Sequence, residues 1–289
     1  MDKIIEEARI VDQVRVLGQI FRLRLHAPRI VAAARPGQFV MVRVREGMDP
    51  LLRRPFSFSR IYPQKGDFEI LYRVVGRGTW LISRLAPGAN LNLVGPLGNG
   101  FALPGEQSAP LGFLAGGIGI APLLELIARI CSERAPKGAG QLRLFYGARS
   151  ADELLPEDLL RMPGLRVHFS TDDGSFGYKG RITRMFEDIL AEGDFRPSAI
   201  YSCGPLAMQH SVAKWALAND TLAQLSMESL MACGIGACLG CALPAATPED
   251  SGAQRFVHVC EDGPVFPAGS IKWNKILAQQ TVPPTWPFN

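Results

Sequence analysis

Residues 233–241 read Cys-Gly-Ile-Gly-Ala-Cys-Leu-Gly-Cys, and a further cysteine, Cys260, follows after the eighteen residues 242–259. Three thiols spaced Cys-x4-Cys-x2-Cys with a distant fourth are the plant-type pattern for a 2Fe-2S cluster. Glycines let the backbone adopt positive φ and approach the inorganic sulfides, where N–H groups can donate hydrogen bonds. We therefore expect cluster ligation by Cys233, Cys238, Cys241 and Cys260, and positive φ at Gly234, Gly236 and Gly240.

Two other uses of these cysteines are a structural zinc site and a pair of disulfides. Zinc sites usually offer two short Cys or His pairs, whereas three ligands crowd together here and the fourth stands alone. Disulfides are disfavoured because the first residues are too acidic and too weakly apolar for a secretory signal. The spacing favours the iron-sulfur cluster, with zinc as the alternative. The remaining thiols are Cys131, expected in the core, and Cys203.

Composition is typical of a globular protein with two or three domains. The chain has 289 residues, with 31 Lys and Arg against 27 Asp and Glu, and this net charge of +4 does not suggest nucleic acid binding. The most apolar stretch, residues 111–131, contains Gly, Pro, Glu and Arg and does not read as a membrane span. No Ser/His/Asp set or His ligand spacing supports hydrolysis. We expect a cytoplasmic protein.

Hydrophobic periodicity divides the chain into three predicted domains. Residues 1–105 show period-2 runs at 21–25 and 68–74 with turn signals between them, which predicts a small antiparallel β-barrel. Residues 106–225 alternate strand-like and helical stretches, which predicts a parallel α/β sheet. Residues 226–289 show little periodicity, carry the cysteine loop and end in a proline-rich tail. We expect cluster binding to supply much of the stability of this last part.

Two short motifs in the first part have groups suited to a diphosphate. In residues 54–57, Arg-Pro-Phe-Ser, the Arg can grip a diphosphate bidentately and the Ser hydroxyl can reach a polar group such as a flavin ring nitrogen. In residues 76–79, Gly-Arg-Gly-Thr, N–H and O–H donors precede a helix expected to begin at Trp80. Each motif also has a plain structural interpretation, an edge strand for the first and a capped turn for the second.

The α/β part carries candidate nucleotide contacts at strand ends, where such sheets bind ligands. The run 111–115 leads into Gly116, Gly117 and Gly119, which keep side chains away from the N-terminus of the next helix and leave space for a pyrophosphate. A tight strand-to-helix turn is the alternative. Cys203 ends another strand and could border a nicotinamide ring, although a buried Cys is otherwise a small hydrophobe.

Two acidic residues, Asp172 and Asp173, follow a strand of the same part. Carboxylates there would accept hydrogen bonds from ribose hydroxyls and repel a 2′-phosphate, which favours NAD over NADP. An Asx turn without a ligand is the alternative. Arg149 and Lys179 lie on nearby loops and could offer a cation to a 2′-phosphate.

The order of these motifs resembles the ferredoxin-NADP reductase superfamily: Arg-Pro-Phe-Ser, then Gly-Gly-Ile-Gly-Ile-Ala-Pro-Leu, then Cys-Gly-Pro. With the cysteine loop 228–241 and residues 259–266, Val-Cys-Glu-Asp-Gly-Pro-Val-Phe, the chain closely resembles one branch, the electron transfer subunits of type B dihydroorotate dehydrogenases. The resemblance covers nearly the whole chain. It implies FAD contacts from Arg54, Pro55, Phe56, Ser57, Leu71, Tyr72, Arg73, Gly78 and Thr79.

The resemblance also implies a division of labour between two subunits. A partner containing FMN would oxidise dihydroorotate to orotate, and this chain would pass the electrons through the cluster and FAD to NAD+, in a hetero-oligomer expected to hold two of each subunit. Ser57, near the flavin N5, and Cys203, beside the nicotinamide, are the residues implied in catalysis. The gap 242–259 is longer than expected for the family and implies an extended loop.

Only the partner would distinguish this function from that of similar reductase subunits in NADH-dependent ferredoxin:NADP oxidoreductases, sulfide dehydrogenases, sulfite reductases and hydrogenases. A zinc-stabilised nucleotide-binding regulator without a redox role is the alternative from another class. Because a cluster must sit near its redox partner, we expect the cysteine loop at a protein interface. The apolar groups expected to be exposed there are Ile235, Leu239, Val265 or Phe266.

Overall fold

The computed structural model describes residues 3–103, 109–134, 141–246 and 254–279. Its N-terminal part is an antiparallel half-barrel built from β1 Ile4–Leu17, β2 Ile20–His26, β3 Phe39–Arg43, β4 Arg54–Ser57, β5 Arg60–Tyr62, β6 Asp67–Arg73 and β7 Asn90–Leu97, with helices α1 Pro28–Ala33 and α2 Arg77–Ile82. The sheet order is β4-β3-β7-β1-β2-β6-β5. Alternate side chains such as Ile10, Leu23 and Val40 fill one core, as the period-2 pattern predicts.

The second part is a doubly covered parallel sheet, also as predicted. Its strands are β8 Leu111–Gly116, β9 Leu142–Ala148, β10 Leu165–Thr171, β11 Tyr178–Lys179, β12 Ala199–Cys203 and β13 Leu222–Ser226, and its helices are α3 Ala121–Arg134, α4 Ile182–Ala191 and α5 Leu206–Ala218. The C-terminal segment adds a seventh strand, β16 Val265–Pro267, antiparallel to β13. The sheet order is β11-β10-β9-β8-β12-β13-β16.

The C-terminal segment packs onto this sheet. Its other elements are β14 Ala242–Pro244, β15 Phe256–His258 and α6 Trp273–Gln279. β14 and β15 pair antiparallel, so the two ends of the predicted extended loop 242–259 lie side by side. Residues 247–253 and the predicted tail 281–289 lie outside the described residues. Apolar side chains of the segment, including Leu243 and Trp273, belong to the same core cluster as one face of the parallel sheet.

Val265 and Phe266 are buried, at 8% and 4% exposure, because β16 pairs with β13. The expectation that these two side chains are exposed for a partner is therefore wrong. Residues 259–266 have too little periodicity to show that they contain a strand, and a three-residue strand gains its place through pairing with a distant element. Leu239 is exposed as expected, and Ile235 is 38% exposed.

A buried carboxylate joins the half-barrel to the α/β part. Glu125 on α3 is 5% exposed, and its Oε2 accepts a hydrogen bond of 2.9 Å from the backbone N–H of Ile61 on β5. Its Oε1 accepts one of 2.7 Å from Arg129 Nε. A buried carboxylate satisfied from both sides holds the two parts in one arrangement, which fixes the cleft between them. Within the described ranges, no helix has the length and apolar character to cross a membrane.

Candidate functional site

A cavity of about 430 Å³ lies where the half-barrel, the α/β part and the C-terminal segment meet. Its walls come from β4, β6 and α2 on one side and from the carboxyl ends of β12 and β13 on the other, the position where open α/β sheets bind ligands. The sequence predicted nine of its lining residues: Arg54, Pro55, Phe56, Ser57, Leu71, Tyr72, Arg73, Thr79 and Cys203. Three other predicted positions, Gly116, Gly117 and Gly119, lie beside it, next to the lining residue Ile118.

Aromatic rings form the barrel wall of the cavity. Tyr72 and Phe56 meet edge to face with ring centroids 5.7 Å apart, and Phe21, the cross-strand neighbour of Tyr72, stacks on it. Burial raises the pKa of Tyr72, whose hydroxyl donates to Gln13 Oε1 at 3.1 Å and therefore stays protonated. Val75 lines the same cavity yet is 78% exposed, so apolar surface is left uncovered. This wall fits a planar ring system such as a flavin.

The two motifs predicted to bind a diphosphate, residues 54–57 and 76–79, lie beside each other, and some of their groups also stabilise the local backbone. The Arg54 side chain passes close to Gly78 on α2: a Cβ added there would lie 2.9 Å from Arg54 Nε, and the flexible Arg54 side chain would have to shift. Helix α2 begins at Arg77 rather than at the expected Trp80. The reason is Thr79, whose Oγ1 accepts hydrogen bonds from Val75 N and Gly76 N and donates to Gly76 O. The cap occupies the Thr79 hydroxyl, and a phosphate contact there stays a prediction.

The glycine run after β8 divides into packing positions and an open position. A Cβ on Gly116 would lie 2.6 Å from Pro205 Cδ, and one on Gly119 would lie 2.6 Å from the carbonyl carbon of Cys203. Both glycines therefore serve the tight strand-to-helix turn. Gly117 differs, because its φ is +54° and a Cβ there would meet no atom within 4 Å. The open space leaves room beside the cavity for a ligand to approach the backbone at Gly117, and a pyrophosphate contact there stays a prediction.

Cys203 and Glu228 form the wall opposite the barrel. Cys203 is 2% exposed, and burial together with the nearby Glu228 carboxyl raises the pKa of its thiol. Glu228 is exposed as a residue, but desolvation of its carboxyl group beside the cavity raises its pKa. Glu228 was not among the predicted site residues, although its position two residues beyond the end of β13 places it at the carboxyl edge of the sheet. The wall thus offers a neutral thiol and a carboxyl group with raised proton affinity.

Asp173 lies outside the cavity lining, after β10. Its Oδ1 accepts hydrogen bonds from Ser175 N at 2.9 Å and Ser175 Oγ at 2.6 Å, which is the Asx turn considered as the alternative. These bonds lower the pKa of Asp173, so its carboxylate stays ionised on an exposed loop. The aliphatic chain of Lys179 packs over Gly174 in the same turn. A ribose contact from Asp173 stays a prediction.

The four predicted cluster ligands lie on the cysteine loop and on the turn beside it, and contacts link them. Cys241 Sγ and Cys260 Sγ are 3.3 Å apart, and Cys238 N donates to Cys233 Sγ at 3.4 Å. No three His, Cys, Asp or Glu side chains in the described ranges surround one ion position. Four thiols with this spacing, supplied by one loop and one distant turn, are the donor set of a 2Fe-2S cluster. The donor set therefore fits the cluster.

Backbone N–H groups point at these sulfurs, as the glycine-rich loop predicts. Ile235 N donates to Cys233 Sγ at 3.4 Å and Gly236 N to Cys260 Sγ at 3.2 Å. Burial opposes ionisation of Cys233, but the backbone donors outweigh it and lower its pKa to about 7. Such donors stabilise the negative charge of a metal-bound thiolate.

The backbone of the loop differs from expectation at one glycine. Gly234 and Gly236 adopt φ of +72° and +82°, but Gly240 is not in this region. Leu239 adopts φ of +59° instead. A left-handed conformation costs a non-glycine residue about 1–2 kcal/mol, so the surrounding structure must hold Leu239 there. Gly240 lies beside one predicted ligand, since a Cβ on it would be 3.6 Å from Cys238 Sγ.

A half-barrel and a parallel sheet with a ligand cavity at their junction define a flavin-dependent reductase of the ferredoxin-NADP reductase type, here with an iron-sulfur segment added. Three family models match the three parts: an oxidoreductase FAD-binding domain over residues 3–101, an oxidoreductase NAD-binding domain over 113–214, and the iron-sulfur cluster binding domain of dihydroorotate dehydrogenase B over 228–272. These matches confirm the predicted fold class and the predicted FAD, NAD and cluster sites at the level of domains.

Similar curated proteins identify the family within this class. The chain is 35% identical over 274 residues to the dihydroorotate dehydrogenase B (NAD(+)) electron transfer subunit of Desulforamulus reducens, covering 94% of this chain and 100% of that protein. It is 36% identical over 267 residues to the protein of the same description from Lysinibacillus sphaericus, covering 92% and 98%. The chain belongs to the family of dihydroorotate dehydrogenase B electron transfer subunits, as the motifs predicted.

Solved structures show the same architecture. The structure of an NADH-dependent reduced ferredoxin-NADP oxidoreductase matches with a TM-score of 0.78 and 28% identity, covering 94% of this chain and 91% of that chain. A ferredoxin reductase of carbazole 1,9a-dioxygenase matches with a TM-score of 0.64 and 24% identity over 76% and 67% of the two chains, which shows the fold alone.

Proposed function

We propose that this chain passes electrons between an FMN-containing catalytic subunit, which oxidises dihydroorotate to orotate, and NAD+. The observation that carries the proposal is that the cavity and the cysteine loop share one element of the half-barrel. When bound, FAD would exchange an electron pair with NAD, and a 2Fe-2S cluster would carry electrons one at a time. The domain division at about residues 105 and 225 is part of the same proposal.

The shared element is β3, which pairs with the cavity strand β4. Met41 on β3 lies opposite Pro55 on β4, and its side chain fills the space beside Gly234 of the cysteine loop. Lys3 Nζ donates to Ile235 O at 2.8 Å and ties the first strand to the same loop. The loop is thus held directly behind the strand that lines the cavity. Short separation between redox sites is what single-electron transfer requires.

The side chains around the cavity would hold and orient the two nucleotides. Arg54 would bind the FAD diphosphate, where its guanidinium can bond two oxygens at once. Ser57 would lie near the reacting ring nitrogen, with Tyr72 against the ring face. On the opposite wall Cys203 would border the nicotinamide, and its neutral thiol adds no charge there. Gly117 would leave space for the NAD pyrophosphate.

The surface around the cysteine loop is suited to a protein partner. Leu230 and Leu239 are 88% and 58% exposed, and Cys238 is exposed beside them. Exposed apolar side chains beside a redox centre mark the place where a partner would dock. We propose that the FMN subunit covers this surface, in an assembly of two copies of each subunit in the cytoplasm, where thiols stay reduced.

Reconstitution with the partner tests the proposal. The purified chain should reduce artificial acceptors with NADH but should not oxidise dihydroorotate. Adding an FMN-containing dihydroorotate dehydrogenase subunit should create dihydroorotate-dependent reduction of NAD+. Leu239→Asp should weaken the complex and this activity, whereas the chain's own NADH-dependent reduction of dyes should stay unchanged. Dihydroorotate oxidation by the chain alone, or no new activity with the partner, would contradict the proposal.

A second candidate is a subunit of an NADH-dependent ferredoxin:NADP oxidoreductase, because a structure of that description matches nearly the whole chain. The protein that co-purifies with the chain distinguishes the two candidate functions. A partner subunit that acts on ferredoxin and NADP would not oxidise dihydroorotate. The zinc-stabilised regulator makes a different prediction, because zinc does not absorb visible light. A visible spectrum with flavin and 2Fe-2S bands would exclude it.

A further inference from the structure

Gln209 is a buried amide directly behind the cavity wall. It is 1% exposed and lies in the first turn of α5, where its backbone N–H donates to Pro205 O at 3.0 Å. Its Nε2 donates to the carbonyl oxygens of Ser226 at 2.9 Å and Ser202 at 3.3 Å. Its Oε1 accepts from Ser202 Oγ at 2.5 Å. Carbonyl oxygens only accept, so these three bonds permit one orientation of the amide.

These bonds join two parallel strands at the point where their pairing ends. The β12–β13 ladder ends at the pair Cys203 and Ser226. Beyond it the chains separate: Gly204 turns into α5 with φ of +158°, and Met227 N donates across to Pro264 O at 2.8 Å. The Gln209 amide bonds one residue of each strand at this divergence. A satisfied buried network of this kind holds a local geometry rigidly.

Both residues of that last pair line the cavity. Cys203 directly follows Ser202, and Ser226 supplies the carbonyl that Gln209 binds. We propose that Gln209 is a positioning residue for the nicotinamide side of the cavity: it sets the distance between the Cys203 and Ser226 ends of the two strands and thereby the approach of NADH to the flavin. This inference rests on the proposed function. Gln209 does not line the cavity itself, so it acts through its neighbours.

The test compares Gln209→Met with the wild-type full chain carrying its cofactors. Met has similar volume but no donor, so the two carbonyls lose their tie. A misplacement on the order of 1 Å at a reacting site can slow a step by about a hundredfold. We expect FAD reduction by NADH in stopped flow to slow at least tenfold at saturation, while the dissociation constant for NAD+ changes less than threefold. In nucleotide-free protein, alkylation of the Cys203 peptide by iodoacetamide should become several times faster.

A conservative variant and a matched control separate positioning from general damage. In Gln209→Glu, a buried carboxyl group stays protonated and can donate one hydrogen bond to Ser226 O, so its rate should fall between wild type and Gln209→Met. Gln224 on β13 also bonds backbone with its amide, at Ala102 N and O. Gln224→Met removes a half-buried tie of the same chemistry away from the cavity and should keep the wild-type rate of FAD reduction.

The results separate a failure of the positioning role of Gln209 from a failure of the proposed function. Wild-type protein whose FAD is not reduced by NADH would refute the proposed function. A wild-type rate in Gln209→Met, or an equal loss in Gln224→Met, would overturn the positioning role alone. If Gln209→Met cannot retain FAD, Gln209→Glu decides: a reduced rate with FAD bound supports the role, and an unchanged rate overturns it.

Discussion

Gly119→Ala tests how closely the turn before α3 must approach Cys203. The new Cβ would lie 2.6 Å from the Cys203 carbonyl carbon and 2.8 Å from Gly204 Cα, against about 3.5–4.0 Å for a relaxed carbon contact. The turn must therefore move by roughly 1 Å. Overpacking of this kind costs about 1–3 kcal/mol. The lower entropy of the unfolded alanine chain offsets about 0.4–1 kcal/mol.

The remaining destabilisation of about 1–2 kcal/mol should lower the melting temperature by about 2–8 °C. Because Ile118 in the same turn lines the cavity, FAD reduction by NADH should also slow at least tenfold, with little change in NAD+ affinity. Gly117→Ala is the matched control. Its left-handed φ costs about 1–2 kcal/mol, but its methyl group enters open space, so it should weaken NAD+ binding rather than slow the step. A Gly119→Ala protein with wild-type melting and rate would refute this account of the turn.

Three further predictions concern the cluster, the nucleotide and pH. Cys238→Ser should abolish the 2Fe-2S paramagnetic signal while FAD stays bound, and Cys131→Ser should keep both; zinc in anaerobically purified protein would contradict the assignment. NADH should reduce FAD at least tenfold faster than NADPH in stopped flow, because the Asp173 carboxylate repels a 2′-phosphate; equal rates would contradict this. Desolvation of its carboxyl group raises the pKa of Glu228, so the protonated form stabilises the fold; this contribution is complete below an unfolded pKa of about 4.3 and is lost as pH rises through the folded pKa. Solvent screening keeps the contribution small because the residue as a whole is exposed. Glu228→Gln should therefore have a higher melting temperature than wild type at pH 8 but not at pH 4. An equal difference in melting temperature at both pH values would contradict this role of Glu228.

Local chemistry made most of the site readable from the sequence. The cysteine spacing, Arg54-Pro-Phe-Ser57 and the glycines after β8 each act within a few residues, and the structure places all of them at or beside the cavity or the cysteine loop. The backbone of the loop was less readable. Whether Leu239 or Gly240 adopts positive φ depends on how the loop meets its surroundings, and glycine permits that conformation without requiring it.

Contacts between distant segments could not be read in this way. Glu125 bonds Ile61 across 64 residues, and Met41 meets Gly234 across nearly two hundred. Neither pair has a sequence signature, because the sequence around a glutamate or a methionine does not show which distant residue it contacts. The turn carrying Cys260 is a further example. Asn99 Nδ2 donates to the carbonyls of Glu261 and Asp262 at 3.1 and 3.0 Å, which fastens the turn to the half-barrel.

These long-range contacts change how the C-terminal segment should depend on its cluster. The sequence suggested that so short and glycine-rich a segment needs the metal for much of its stability. The structure instead packs Leu243, Phe266 and Trp273 into the core of the parallel sheet and adds β16 to that sheet. Each buried apolar side chain contributes about 1.5–3 kcal/mol, which does not depend on the metal. Losing the cluster should therefore loosen residues 233–241 while β16 and Trp273 stay in place. Hydrogen exchange on Cys238→Ser would show this as faster exchange in the loop and unchanged protection at Leu225 and Phe266.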